Sequence, residues 1–123
     1  MRTVICLGLC LALAGCVTAQ HQPESPEQLK ARSEAATATC RAQPLTSYTE
    51  RAQCLNDASM IAASTAEYPD LLQRALAARL EIAQRVDAKQ VSPAEGAKQY
   101  AKIESNLAAE AKKRRAADAG AQG

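Results

Sequence analysis

Large core-forming side chains are scarce in this chain, and their scarcity limits what it can fold into. It has no Phe and no Trp, and its aromatic residues are Tyr48, Tyr68 and Tyr100. Alanine supplies much of the apolar content, and alanine is the strongest helix former but buries little surface. No segment shows the apolar–polar alternation or the β-branched density that is typical of strands. We therefore predict an all-α protein with a thin core, without an enclosed pocket for a small-molecule substrate.

The N-terminal segment is nearly all apolar from residue 3 to residue 13, directly after Arg2. A positive charge followed by an apolar run too short to span a bilayer is typical of a secretory signal peptide. The run ends in Leu13-Ala14-Gly15-Cys16. This tetrapeptide resembles the lipobox of bacterial lipoproteins, and it lies at the position that the family requires. The resemblance covers residues 1–16 and implies nothing about the fold of the rest.

The resemblance implies a lipid anchor at Cys16. In that family the cysteine thiol receives diacylglycerol and a peptidase cuts before it, so residues 1–15 would be a signal peptide and the partner of Cys16 would be membrane lipid. Val17 follows, whereas Asp at this place favours inner-membrane retention in Gram-negative lipoproteins. For a Gram-negative source, the resemblance thus implies an outer-membrane protein that faces the periplasm. The alternative is ordinary secretion with cleavage near Ala19.

Two cysteines remain outside the signal peptide and the lipobox, namely Cys40 and Cys54. An even pair in an exported protein favours a structural disulfide. A catalytic thiolate would need a nearby base, but the one histidine, His21, lies in the segment beside Cys16. The pattern offers no metal-ligand set and no redox spacing. We therefore expect a disulfide, no metal, no cofactor and no enzymatic activity.

Helix-start signals divide the rest of the chain. Capping patterns and prolines indicate three starts: Ser25-Pro26-Glu27-Gln28, Ser47-Tyr48-Thr49-Glu50 and Ser92-Pro93-Ala94-Glu95. Tyr68-Pro69-Asp70 marks either a break or a further helix start. The first helix should end near Gln43, because Pro44 disfavours helix in the residue before it.

These signals predict a small bundle of three to four helices. We expect a flexible tether over 16–24, a helical domain over 25–115 and a disordered tail over 116–123. Within the domain, a disulfide-linked N-terminal helix pair is followed by a C-terminal helical hairpin over 70–111. The hairpin carries the clearest apolar stripe of the sequence, from Leu71 to Val86.

Local charge offers one further candidate site, Lys112-Lys113-Arg114-Arg115. These cations could contact an anionic surface such as phospholipid head groups. The favoured interpretation is that they complement the dipole at a helix C-terminus. Overall charge is nearly balanced, with 15 Lys and Arg against 13 Asp and Glu, which argues against nucleic-acid binding.

The leading functional hypothesis is therefore a small lipid-anchored envelope protein with a structural or protein-binding role and no catalysis. Two alternatives stay open. One is a periplasmic accessory or inhibitor module that binds a partner protein through the 70–111 hairpin. The other is an amphipathic protein that contacts the membrane directly.

Overall fold

Four α-helices make up most of the protein in a computed structural model that describes residues 23–123. The predicted signal peptide, Cys16 and most of the predicted tether lie outside the described residues. Residues 23–123 contain helices and no strand, so the predicted all-α class is confirmed. The helices are α1 (Pro26–Ala42), α2 (Tyr48–Met60), α3 (Pro69–Asp87) and α4 (Pro93–Ala121), with a short 3-10 turn (Ala63–Thr65) between α2 and α3.

The predicted serine caps begin three of the helices. Ser25 and Ser47 each form a reciprocal capping box, in which the third helical residue also accepts a hydrogen bond from the cap amide. Ser92 accepts a hydrogen bond from the amide of Glu95, as predicted. The Glu95 carboxylate does not complete the box, since it accepts a hydrogen bond from the side chain of Gln99 one turn later.

The C-terminal end of α4 differs from the prediction of a disordered tail over 116–123. The helix continues to Ala121, because this segment is rich in alanine and contains no proline. Tertiary contacts also hold it, since Asp118 accepts a hydrogen bond from the hydroxyl of Tyr68 at 3.2 Å. The helical domain therefore extends six residues beyond the predicted boundary at 115.

The helices pack mainly on their neighbours in the chain: α1 on α2, α2 on α3 and α3 on α4. The core lies along α3, which supplies more buried residues than any other helix, whereas α1 buries only Cys40. The buried apolar residues are Cys40, Ala52, Ala58, Leu71, Leu76, Ile82, Ala83, Val86 and Leu107. With such a small core, the packing of one helix on the next depends on close approach of their backbones and on contacts at the helix ends.

Gly96 permits the close approach of α4 to α3. It is buried in the first turns of α4, and a Cβ atom placed on it would lie 2.9 Å from Cγ2 of Val86 and 3.1 Å from Cγ2 of Ile82. Both neighbours are β-branched and stiff, so they cannot rotate away at little cost. The α3–α4 hairpin therefore requires a residue without a side chain at this position.

We predict that Gly96→Ala destabilises the protein. Overpacking costs about 1–3 kcal/mol, and the better helix propensity of alanine returns about 1 kcal/mol, so the net loss should reach up to about 2 kcal/mol. Thermal unfolding followed by circular dichroism measures it. Gly120→Ala is the matched control, since a Cβ atom there meets nothing within 4 Å. An equal rise in melting temperature for both variants would contradict the steric role of Gly96.

Candidate functional site

The disulfide between Cys40 and Cys54 joins α1 to α2, as predicted. The two Cα atoms are 5.7 Å apart, and Cys40 is only 3% exposed. Arg51 reinforces the joint from α2, because its guanidinium donates hydrogen bonds to the carbonyls of Cys40 at 2.7 Å and Gln43 at 3.2 Å. These carbonyls lie at the C-terminal end of α1, where backbone acceptors lack helical partners. The pair is therefore a structural joint that holds a helix with a single buried residue.

We predict that replacing Cys40 and Cys54 together by Ser releases α1. A loop of this size contributes ~3 kcal/mol of stability when it is closed, so the melting temperature should fall by roughly 10 °C or more. Hydrogen exchange should rise most in α1 and least in α3, which carries the core. Reductant should lower the melting temperature of the unaltered protein but not that of the variant. Unchanged melting and unchanged exchange in α1 would refute this role.

Asp87 links the end of α3 to the beginning of α2. Its carboxylate accepts hydrogen bonds from the backbone amides of Tyr48 at 3.0 Å and Thr49 at 2.8 Å. An acidic residue at a helix C-terminus is ordinarily unfavourable, but here it lies at the positive end of another helix. Hydrogen bonding to Thr49, and then to the amide of Tyr48, lowers the pKa of Asp87 below its ordinary value. The contact fixes the start of α2 against the end of α3.

We predict that Asp87→Asn lowers the melting temperature at neutral pH. Since the folded-state pKa of Asp87 is lowered, its stabilising effect is present above the ordinary value of 3.8 and is lost as the pH falls through the folded-state pKa. The gap between variant and unaltered protein should therefore close in acid. Asp57→Asn is a suitable control, because the side chain of Asp57 makes no hydrogen bond or ion pair within the described residues. A gap that persists in strong acid would argue against the charge as its cause.

The predicted basic site at 112–115 divides into two parts. Arg114 makes two parallel hydrogen bonds to the Asp70 carboxylate, at 2.9 and 2.8 Å, and also pairs with Glu110. Its guanidinium lies 5.3 Å from the ring centre of Tyr68. Arg115 pairs with Glu67 at 2.8 Å. These contacts hold the second half of α4 on the beginning of α3.

The charges in this network stabilise one another. Hydrogen bonding to Asp70 and Glu110 raises the pKa of Arg114, and the arginine lowers the pKa of both carboxyl groups. Lys112 and Lys113 are exposed and form no ion pair among residues 23–123. Of the four predicted cations, the two arginines thus have structural partners. Contact with an anionic surface stays a prediction, and it would depend mainly on the lysines.

The described residues also form an open apolar groove of about 330 Å³ between α2 and α4. Its floor is α3, and its apolar surface comes from small and medium side chains at the three-helix junction. The apolar lining residues are Ala52, Leu55, Ile82, Ala83, Val86, Pro93, Gly96 and Ala97. Tyr48, Tyr100, Arg51 and Arg79 complete the lining. No carboxylate belongs to it, so the groove is apolar with two positive charges.

Arg79 occupies the centre of the three-helix junction. Its Nη1 atom donates hydrogen bonds to Oδ1 of Asn56 at 2.9 Å and to Oγ of Ser59 at 3.5 Å, both on α2. The guanidinium lies 5.3 Å from the ring centre of Tyr100 on α4. Asn56 in turn donates to the carbonyl of Leu76 at 2.9 Å. One side chain thus contacts all three helices, while Nε and Nη2 have no acceptor among residues 23–123.

Tyr48 and Tyr100 lie on opposite walls of the groove. Tyr48 is 49% exposed, which makes it the most exposed large hydrophobic residue in residues 23–123. The hydroxyl oxygen of Tyr100 is buried without a hydrogen-bond partner, and burial raises the pKa of this group. The exposed ring of Tyr48 is a feature that a bound ligand could use, whereas the hydroxyl of Tyr100 is buried.

Patterns in the sequence did not point to Arg51, Arg79 or Asp87 as contact residues. For Arg79 a signal was present, since this charged residue interrupts the broad apolar stripe of α3 between Leu76 and Leu80. A charge inside such a stripe needs a polar partner from another element. For Arg51 and Asp87 the sequence offered no signal, because both are ordinary polar residues whose partners lie on other helices.

Comparison with protein-family models, with curated proteins and with solved structures finds no match. In the part of the chain that the structure describes, no helix is long and apolar enough to cross a membrane. The same part contains no group of three or more His, Cys, Asp or Glu side chains placed to hold a metal ion.

Proposed function

We propose that this chain is a lipid-anchored protein of a bacterial cell envelope that binds another protein and performs no catalysis. The anchor would be diacylglycerol on Cys16, which the lipobox resemblance supports. The Cys40–Cys54 disulfide supports an exported location, because disulfides persist in oxidising compartments. Val17 favours the outer membrane, with the helical domain facing the periplasm.

The observation that carries the binding role is the composition of the groove. Tyr and Arg are the residues most enriched where protein interfaces gain their binding energy. Two of the three tyrosines of the chain lie in this groove together with two arginines, around a floor of aliphatic side chains. Because α2 forms one wall, the contact surface reaches beyond the hairpin over 70–111 to which the sequence pointed.

The segment between Cys16 and Ser25 would give the domain freedom to reach a partner. The nine residue-to-residue steps from Cys16 to Ser25 would span at most roughly 30 Å when fully extended, which exceeds the thickness of the lipid head-group layer. The groove could then face the periplasm in several orientations. A stable anchor needs at least two acyl chains, and diacylglycerol provides them.

The proposal predicts the mass of the protein purified from membranes. Intact mass spectrometry should find a chain that begins at Cys16, carries acyl mass and gains two hydrogens on reduction of its disulfide. Cys16→Ser should abolish the acyl mass and leave the chain outside the membrane fraction. An unlipidated chain that begins near Gln20 would refute the anchor and favour a secreted protein.

Chemical crosslinking tests the binding role. After chemical crosslinking in intact cells, the purified protein should carry one reproducible partner, whose crosslinks map to α2 and α4 around the groove. The Cys16→Ser form is the control, because it should lose the partner if that partner is held at the membrane. Crosslinking that yields no reproducible partner would contradict a binding role.

A further inference from the structure

The groove between α2 and α4 is shaped to accommodate one more helix. The lining runs from Tyr48 to Leu55 on α2, from Arg79 to Val86 on α3 and from Pro93 to Tyr100 on α4. Each stretch covers two helical turns, or about 10 Å. Two helices that flank a third leave an apolar strip above it, and an amphipathic helix can bury its apolar face there.

The charge of the groove restricts what this helix can be. Arg51 and Arg79 line it, neither has a carboxylate partner among residues 23–123, and no acidic residue lines the groove. Arg51 is already bound to carbonyls at the end of α1, but a basic or neutral helix would leave the guanidinium of Arg79 without a carboxylate as water is excluded. A carboxylate would instead make charge-assisted hydrogen bonds, and a guanidinium favours a carboxylate by its planar fork of donors.

Arg79 is the group that would receive this carboxylate. Its Nη1 atom is already bound to Asn56 and Ser59, which holds the guanidinium in place, whereas Nε and Nη2 remain as donors. A receptor group that is fixed before binding loses little entropy when the ligand arrives. The ring of Tyr100, 5.3 Å from the guanidinium, flanks it from the wall of α4.

We propose that the groove binds two turns of an acidic amphipathic helix of a partner protein, with apolar side chains on the floor of α3 and a carboxylate on Arg79. This inference rests on the proposed protein-binding function and adds the class of partner. The volume of about 330 Å³ accommodates two or three aliphatic side chains at the spacing i, i+4 and i+7.

The test uses the full protein purified from membranes and reconstituted into phosphatidylcholine nanodiscs. The probe is a designed helical peptide with leucines at i, i+4 and i+7 and glutamates beside them. A twin peptide carries lysine in place of every glutamate. Fluorescence anisotropy of labelled peptides measures binding, with empty nanodiscs as the blank. The acidic peptide should bind roughly tenfold or more tightly than its twin, which corresponds to about 1.4 kcal/mol.

Matched variants test whether the acidic peptide binds in the groove. Arg79→Met should weaken binding of the acidic peptide at least about tenfold. Lys98→Met, on the exposed surface of α4 outside the groove, should leave that affinity unchanged. Since Arg79→Met also removes contacts to α2, a second variant is needed. Ala97→Trp fills the groove from an exposed position and breaks no hydrogen bond, so it should abolish binding at an unchanged melting temperature.

Four results would overturn the inference. The first is equal affinity for the two peptides, which would remove the role of the carboxylate. The second is undiminished binding by a folded Ala97→Trp variant, which would place the peptide elsewhere. The third is a crosslink between two copies of this chain that Ala97→Trp abolishes, which would make a second copy the occupant. A partner that crosslinks equally to Ala97→Trp, while neither peptide binds, would overturn the groove assignment and leave the proposed binding function standing.

Discussion

The hydrogen bonds from the first amides of α2 to the carboxylate of Asp87 determine where α2 lies on α3. A core made of alanine and a few aliphatic residues cannot position helices by shape alone, because small side chains interdigitate weakly. This protein instead fixes its helices at their ends. Asp87 joins α3 to α2, Arg51 joins α2 to the end of α1, and Arg114 joins the second half of α4 to the start of α3. Each contact pairs a charge with backbone groups or with an opposite charge.

This way of joining the helices explains the groove. Gly96 brings α4 close to one side of α3, and Asp87 holds the start of α2 at the other side. The strip of α3 between them stays open, with Arg79 at its centre and a tyrosine on each wall. Larger core residues would have filled this space in a conventional bundle. The same shortage of bulky side chains that makes the core thin therefore also leaves a surface on which a partner helix could pack.

The basic segment 112–115 shows that one motif is interpreted differently in the sequence and in the fold. In the sequence, residues 112–115 form a uniform block of positive charge that could contact any anionic surface. In the fold, Arg114 and Arg115 face α3 and pair with Asp70 and Glu67, whereas Lys112 and Lys113 are exposed. Helical geometry separates the residues of a block onto different faces, so the charge density in the sequence overstates the charge available on one surface.

The sequence by itself determined the features that depend on neighbours within one helical turn. Ser25, Ser47 and Ser92 begin helices because each cap reaches an amide three residues along, and Pro69 begins α3 by its fixed backbone angle. The Cys40–Cys54 pair followed from elimination among five cysteines. Only the tertiary structure decided the partners of Asp87, Arg79 and Arg114, which lie 39, 23 and 44 residues away in the chain at their most distant. Such pairs depend on how whole helices are placed, and many charged residues of similar character compete for each partner, so no local pattern specifies them.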